Sequence, residues 1–169
     1  PEVVQHMEKA FQAYHARGKE LVQEPVRFVL GGVGSPAIEI TGQDMYWTPE
    51  SKGGQPFGQS APRDLMQAHG PYKVRIARDG KYKFTLSRYP LYTKMSMSIG
   101  GRKFKKDHII RKVRISIAGK TREKVVMPED TRATFLINLK VGDADLDTAL
   151  LGDGKDGIAY FVTAEYLGK

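Results

Sequence analysis

Residues 69–90, HGPYKVRIARDGKYKFTLSRYP, constrain this chain more than any other stretch. Tyr72, Val74 and Ile76 alternate with Lys73, Arg75 and Ala77. After Arg78-Asp79-Gly80, Tyr82, Phe84 and Leu86 alternate with Lys83, Thr85 and Ser87. A period of two on both sides of an Asp-Gly step predicts a β-hairpin. One face is aliphatic and aromatic while the other is mostly basic or hydroxylic, so the ribbon should lie over a core with one side wet. A two-stranded ribbon is marginal alone. The rest of the chain must therefore complete this sheet or cover it.

The downstream sequence is suited to that. Val113, Ile115 and Ile117 alternate before a turn at Ala118-Gly119-Lys120. Ala133, Phe135, Ile137 and Leu139 alternate up to Val141-Gly142-Asp143, and Leu146, Thr148 and Leu150 follow. A glycine-rich turn over 152–157 leads to a last strand over 158–166, and two short strands are expected upstream, at 26–30 and 37–41. Many short strands separated by turns predict a mainly β chain, an antiparallel β-sandwich or jelly-roll-like domain.

The first 25 residues differ. Val3, Val4, Met7, Ala10, Phe11 and Tyr14 recur at helical spacing, with Gln5, Glu8, Lys9 and Gln12 opposite, and Pro25 stops the pattern. The sequence thus divides into a helix within 1–25 and a sandwich over 26–169. The apolar stripe of that helix must pack on this domain's own sheet or on a neighbour.

The chain has 169 residues, of which 40% are hydrophobic and 27% charged, enough for a real core and too apolar for disorder. No apolar run approaches the roughly 20 residues that span a bilayer. The start at Pro1 and the lack of a leader-type apolar stretch read as a fragment or processed piece. Cysteine is absent, which removes disulfides, thiolate catalysis and Cys-based zinc sites. A formal charge of +8 suits acidic glycans, nucleic acid or an acidic protein surface, or simply a solvated basic face.

Residues 43–67, QDMYWTPESKGGQPFGQSAPRDLMQ, form a long irregular stretch with the only Trp. Loops of this length are uncommon unless functional. Asp44, Tyr46, Trp47, Phe57 and Gln59 are the candidate ligand residues, with Arg63 and Lys52 placed to meet a sulfate. The competing reading makes Trp47 and Phe57 plugs of the open core edge. Residues 100–106, GGRKFKK, read as an exposed basic loop, with nucleic-acid binding the weaker alternative.

No catalytic motif emerges. His6, His15, His69 and His108 are far apart, and there is no nucleophile elbow, P-loop or dinucleotide fingerprint. Gly31-Gly32-Val33-Gly34-Ser35 is a turn and not a phosphate cradle, because it lacks the Lys-Ser/Thr ending. Asp143, Asp145 and Asp147 have the spacing that opens a calcium loop, without its later Gly and Glu. On a strand they would share one wet face.

Taken in order, these segments resemble the C-terminal portion of bacterial sulfatases of the formylglycine-dependent arylsulfatase family. The opening PEVVQHMEKAFQAYHAR resembles the helix that follows the catalytic domain. VRFVLGGVGSPAIEITGQDMYW resembles an "LG…NP..LT.HDWH" segment, and Pro56-Phe57-Gly58-Gln59 stands where the family has "PWNQ". HGPYKVRIARDGKYKFTLSRYP resembles "G.W.V.V…G.Y.F.LRRWP", and the stretch 133–167 resembles "VTF.V.L..G…L.T.F.D..G…GAYFVYV..L". Gln43, Met45 and Gly58 depart from the family's His, Trp and Asn.

The resemblance implies a non-catalytic accessory domain that packs on a sulfatase catalytic domain and shapes the approach of a sulfated glycan. It implies a periplasmic or secreted parent. The C/S-x-P-x-R nucleophile motif is absent, so formylglycine and calcium would belong only to the catalytic domain, and this chain alone would be no enzyme. An autonomous carbohydrate-binding module and a purely structural domain are the alternatives.

Overall fold

The computed structural model describes residues 2–21, 24–48, 51–54, 56, 58–99, 108–153 and 156–169. A long helix, α1 (Glu2–Leu21), comes first. Then follow β1 (Phe28–Leu30), β2 (Ala37–Thr41), the two-residue strand β3 (Lys52–Gly53), the short helix α2 (Ser60–Arg63) and β4 (Ala68–His69). The remaining strands are β5 (Tyr72–Ile76), β6 (Gly80–Ser87), β7 (Ile110–Ile117), β8 (Lys120–Val125), β9 (Ala133–Leu139), β10 (Gly142–Gly152) and β11 (Phe161–Gly168).

Two sheets form the expected β-sandwich. One has the order β1-β5-β10-β7-β8 and the other β2-β11-β6-β9, while β3 and β4 pair separately. All pairings are antiparallel except β1 with β5. Alternation along the strands sets the burial. Tyr72, Val74 and Ile76 of one sheet and Tyr82, Phe84 and Leu86 of the other are all essentially solvent-free and belong to one core. Burying one such side chain contributes about 1.5–3 kcal/mol.

The hairpin expected over 69–90 does not form. β5 pairs with β1 and β10, and β6 pairs with β11 and β9, so the two strands lie in opposite sheets. Ala77, Arg78 and Asp79 make an arch across the core. The physical reason is that alternation fixes which side of a strand is buried but not which sheet it joins. A second arch, at Lys140 and Val141, carries the chain from β9 to β10 at the same end of the sandwich.

Both arches land on a glycine in a conformation that side chains rarely adopt, Gly80 at φ +149° and Gly142 at φ +148°. They are also tied to each other. The Asp79 carboxylate accepts hydrogen bonds from the Val141 amide (2.8 Å) and from Lys140 Nζ (2.9 Å). Arg78 donates to the Gly31 and Gly32 carbonyls, so the glycine turn after β1 holds a guanidinium.

A two-residue hairpin joins β7 to β8 through Ala118 and Gly119, both with positive φ, where the sequence predicts a turn. The acidic run is also placed as expected, on the wet face of β10. There Arg75 pairs bidentately with Asp143, Arg27 reaches the same carboxylate, and Lys73 meets Asp145. Among the described residues no cluster of His, Asp or Glu is arranged to hold a metal ion.

These pairs set an acid limit. The Lys140 ammonium and the Val141 amide hold Asp79 below the ordinary carboxylate range, and Arg75 does the same for Asp143. Their contribution is complete above the unfolded carboxyl value of about 3.9 and disappears as pH falls through the lower folded value. Thermal melts should therefore fall away below about pH 4, and Asp79→Asn should flatten that acid limb. An unchanged acid slope in Asp79→Asn would show that the arch tie does not titrate with folding.

Residues 2–19 of α1 are solvent-exposed but for the half-buried Gly18. Its stripe, Val3, Val4, Met7, Phe11 and Tyr14, is between 65% and 78% exposed. The helix therefore does not pack its apolar side on this domain's own sheet. None of the described helices is long and apolar enough to cross a membrane.

Candidate functional site

At the end of the sandwich opposite the arches, β2 finishes, β6 finishes and β11 begins, side by side. The chain leaves each strand there into irregular segments, and these enclose an open cleft of about 440 Å³. Its rings are Tyr89, Tyr92, Tyr160 and Phe161, and its polar groups include Thr41, Gln43, Gln59 and Thr93. Clefts of roughly 300–1,000 Å³ with apolar walls and a few polar groups are the usual form of small-molecule sites.

The walls are held from beneath by buried polar groups. Arg88 is 0% exposed, and its guanidinium donates to the carbonyls of Pro62 (2.6 Å), Met97 (2.9 Å) and Arg63 (2.9 Å). It thereby clamps the α2 segment and the 95–99 segment to the end of β6. Tyr160 donates to the Met66 carbonyl at 2.6 Å, and Tyr72 donates to that of Ala159 at 3.2 Å. Burial raises the pKa of both phenols, so they act as neutral donors. Gly42 lies where a Cβ would come 3.1 Å from the Tyr160 ring, which lets the cleft floor close tightly.

The candidate residues of the long irregular stretch are dispersed. Gln59 is exposed and lines the cleft. Asp44 is a local cap, its Oδ2 accepting from the Thr41 amide (2.7 Å) and hydroxyl (2.9 Å). Arg63 forms a bidentate pair with Asp64, and this contact raises its pKa. Tyr46 sits instead beside the start of β5. The Tyr46 amide donates to Pro71, and Lys73 Nζ lies 5.3 Å from the Tyr46 ring centre.

Trp47 is 38% exposed and is not among the residues of the buried core cluster. Phe57, the Lys52 side chain and the basic loop 100–106 lie outside the described residues.

Sequence reasoning missed Tyr89, Tyr92, Tyr160 and Arg88. Arg88 was within reach of it: Tyr82, Phe84 and Leu86 point inward, and the same period of two places Arg88 next on that face. Tyr89, Tyr92 and Tyr160 carry no such signal, because they meet only when three chain ends meet. Comparison with protein-family models, with curated proteins and with solved structures found no match.

Proposed function

We propose that this chain is a non-catalytic, glycan-contacting β-sandwich, the accessory domain of a sulfatase-type hydrolase. The observation that carries the glycan contact is the cleft, where tyrosine rings stand beside amide and hydroxyl groups. Aromatic faces stack on the C–H faces of sugar rings, and neighbouring amides and hydroxyls satisfy sugar hydroxyls. Tyr92 is 85% exposed, a ring presented to solvent without a packing role. The attribution to a sulfatase rests on the ordered sequence resemblance.

Titration of neutral and sulfated oligosaccharides by calorimetry tests the cleft. Binding should be lost in Tyr92→Ala, with a melting temperature within about 2 °C of the parent, since surface changes alter stability by about 0.5 kcal/mol or less. Equal binding by parent and Tyr92→Ala would remove the cleft from the reading.

The exposed stripe of α1 supports a docking role for that helix against a catalytic neighbour. In the isolated chain, α1 amides should exchange far faster than those of Phe84 or Val74. A sulfatase-type catalytic domain of the same parent chain should slow them. Full protection of α1 in the isolated chain would mean that its stripe is already covered.

A further inference from the structure

We propose that the open edge between β8 and β9 is a groove that binds a densely sulfated polysaccharide. It is separate from the aromatic cleft and does not depend on it. The groove arises from register. The two-residue turn at Ala118-Gly119 sets Lys120 opposite Ile117, Arg122 opposite Ile115 and Lys124 opposite Val113. Directly opposed residues point to the same side of a sheet, and Ile117, Ile115 and Val113 are all buried. The core-side positions of β8 are therefore cations.

β8 is the last strand of its sheet, and Lys120 and Arg122 reach over its edge to β9, the last strand of the other sheet. Lys120 Nζ donates to the Asn138 carbonyl at 2.7 Å. Lys81 stands opposite Asn138 on β6, and together Lys81, Lys120 and Arg122 line a hollow of about 230 Å³. Through Lys81 and Asn138 the hollow continues to the arch end, where Lys140 joins it. The carboxylate lining it there, Asp79, is already engaged by Lys140 and the Val141 amide. Glu123, the acid of β8, is on the other face with Lys112 and Arg114.

An inward charge on an edge strand also deters strand-on-strand aggregation, and Lys120 alone serves that purpose. Edge protection does not account for Arg122 and Lys81 beside it. Neither has a carboxylate partner among the described residues, and Arg122 donates to the Thr121 carbonyl. Like charges held together repel unless an anion joins them. Lys120 and Arg122, two positions apart on the strand, stand about 7 Å apart along it, so a polyanion with closely spaced charges can meet both at once. No aromatic side chain lines either hollow among the described residues, so bases would find nothing to stack on.

The test uses dextran sulfate, unsulfated dextran and an oligothymidylate of matched charge, titrated into the chain at low and at physiological salt. Dextran sulfate should bind and weaken with salt, unsulfated dextran should not bind, and the oligothymidylate should bind about tenfold more weakly than dextran sulfate. Lys81→Gln with Arg122→Gln, which keeps the Lys120 bond, should weaken dextran sulfate about tenfold and flatten the salt dependence. Lys9→Gln with Lys19→Gln removes the same charge from α1 and should change affinity less than about twofold.

Exchange protection of β8 and β9 in the parent on adding dextran sulfate supplies a second readout if the groove variant fails to fold. Equal losses in the two double variants would overturn the proposal, since net charge and not the groove would then be responsible. Oligothymidylate binding as tight as dextran sulfate, no binding of dextran sulfate, or protection elsewhere would overturn it as well.

Discussion

An Arg88→Ala protein should melt roughly 10 °C or more below the parent, and calorimetry of the two side by side measures it. Arg88 is buried completely, and its guanidinium serves three backbone carbonyls from two separate segments. Each carbonyl left unpaired in a dry site costs about 1–3 kcal/mol, and the vacated volume adds a cavity term. Water entering the space recovers part of this, leaving about 3–5 kcal/mol lost, comparable to removing one partner of a buried charge pair. Arg88→Met separates the two contributions, because it refills the volume without donors. Arg88→Lys should lie between, since an ammonium is a single point and cannot fork towards three acceptors. If Arg88→Ala melted within 2 °C of the parent, the clamp would have to be assigned to Tyr160 and Met66 instead.

The second large effect is at the arches, where two glycines share a conformation but not a neighbourhood. A Cβ on Gly80 would sit 2.4 Å from the Gly168 carbonyl oxygen and 2.8 Å from the Tyr166 ring, whereas one on Gly142 would meet nothing within 4 Å. Gly142→Ala therefore reports backbone strain alone, about 1–3 kcal/mol. Gly80→Ala adds a collision with backbone that has no flexible end to give way. It should lose about 3 kcal/mol or more, displacing the end of β11 and the Tyr166 ring that lies over Arg78. Chemical denaturation of both variants gives the comparison. Equal losses would mean that β11 yields freely at Gly168.

The same arches explain what could be read from the sequence. The strands and their buried faces were legible because side-chain alternation is local: Tyr72, Val74 and Ile76 announce themselves in five residues. The connection was not, because Arg78-Asp79-Gly80 can close a hairpin or cross a core with the same flanking pattern. Sheet membership is decided by partners far along the chain, Val74 by Phe28 and Ala144, and Phe84 by Phe135 and Ala164. The cleft was hidden for a related reason. Gln59 is legible from the loop that carries it, but Tyr92 and Tyr160 become neighbours only through β6 and β11.

The crossed wiring also has a kinetic consequence. Apart from β7 with β8, the strands of both sheets pair with partners distant in sequence, and β2 waits for β11, the last strand of the chain. Local hairpins cannot zip up this fold one after another. Loop-closure entropy must be overcome for several long connections before any of them is repaid, which places folding at the slow end of the two-state range, milliseconds to seconds. Neither sheet can mature alone, because each arch commits one strand to each layer. The edge cations of β8 would then meet β9 only in the final condensation, and removing β11 should abolish the cooperative transition and not merely shorten it.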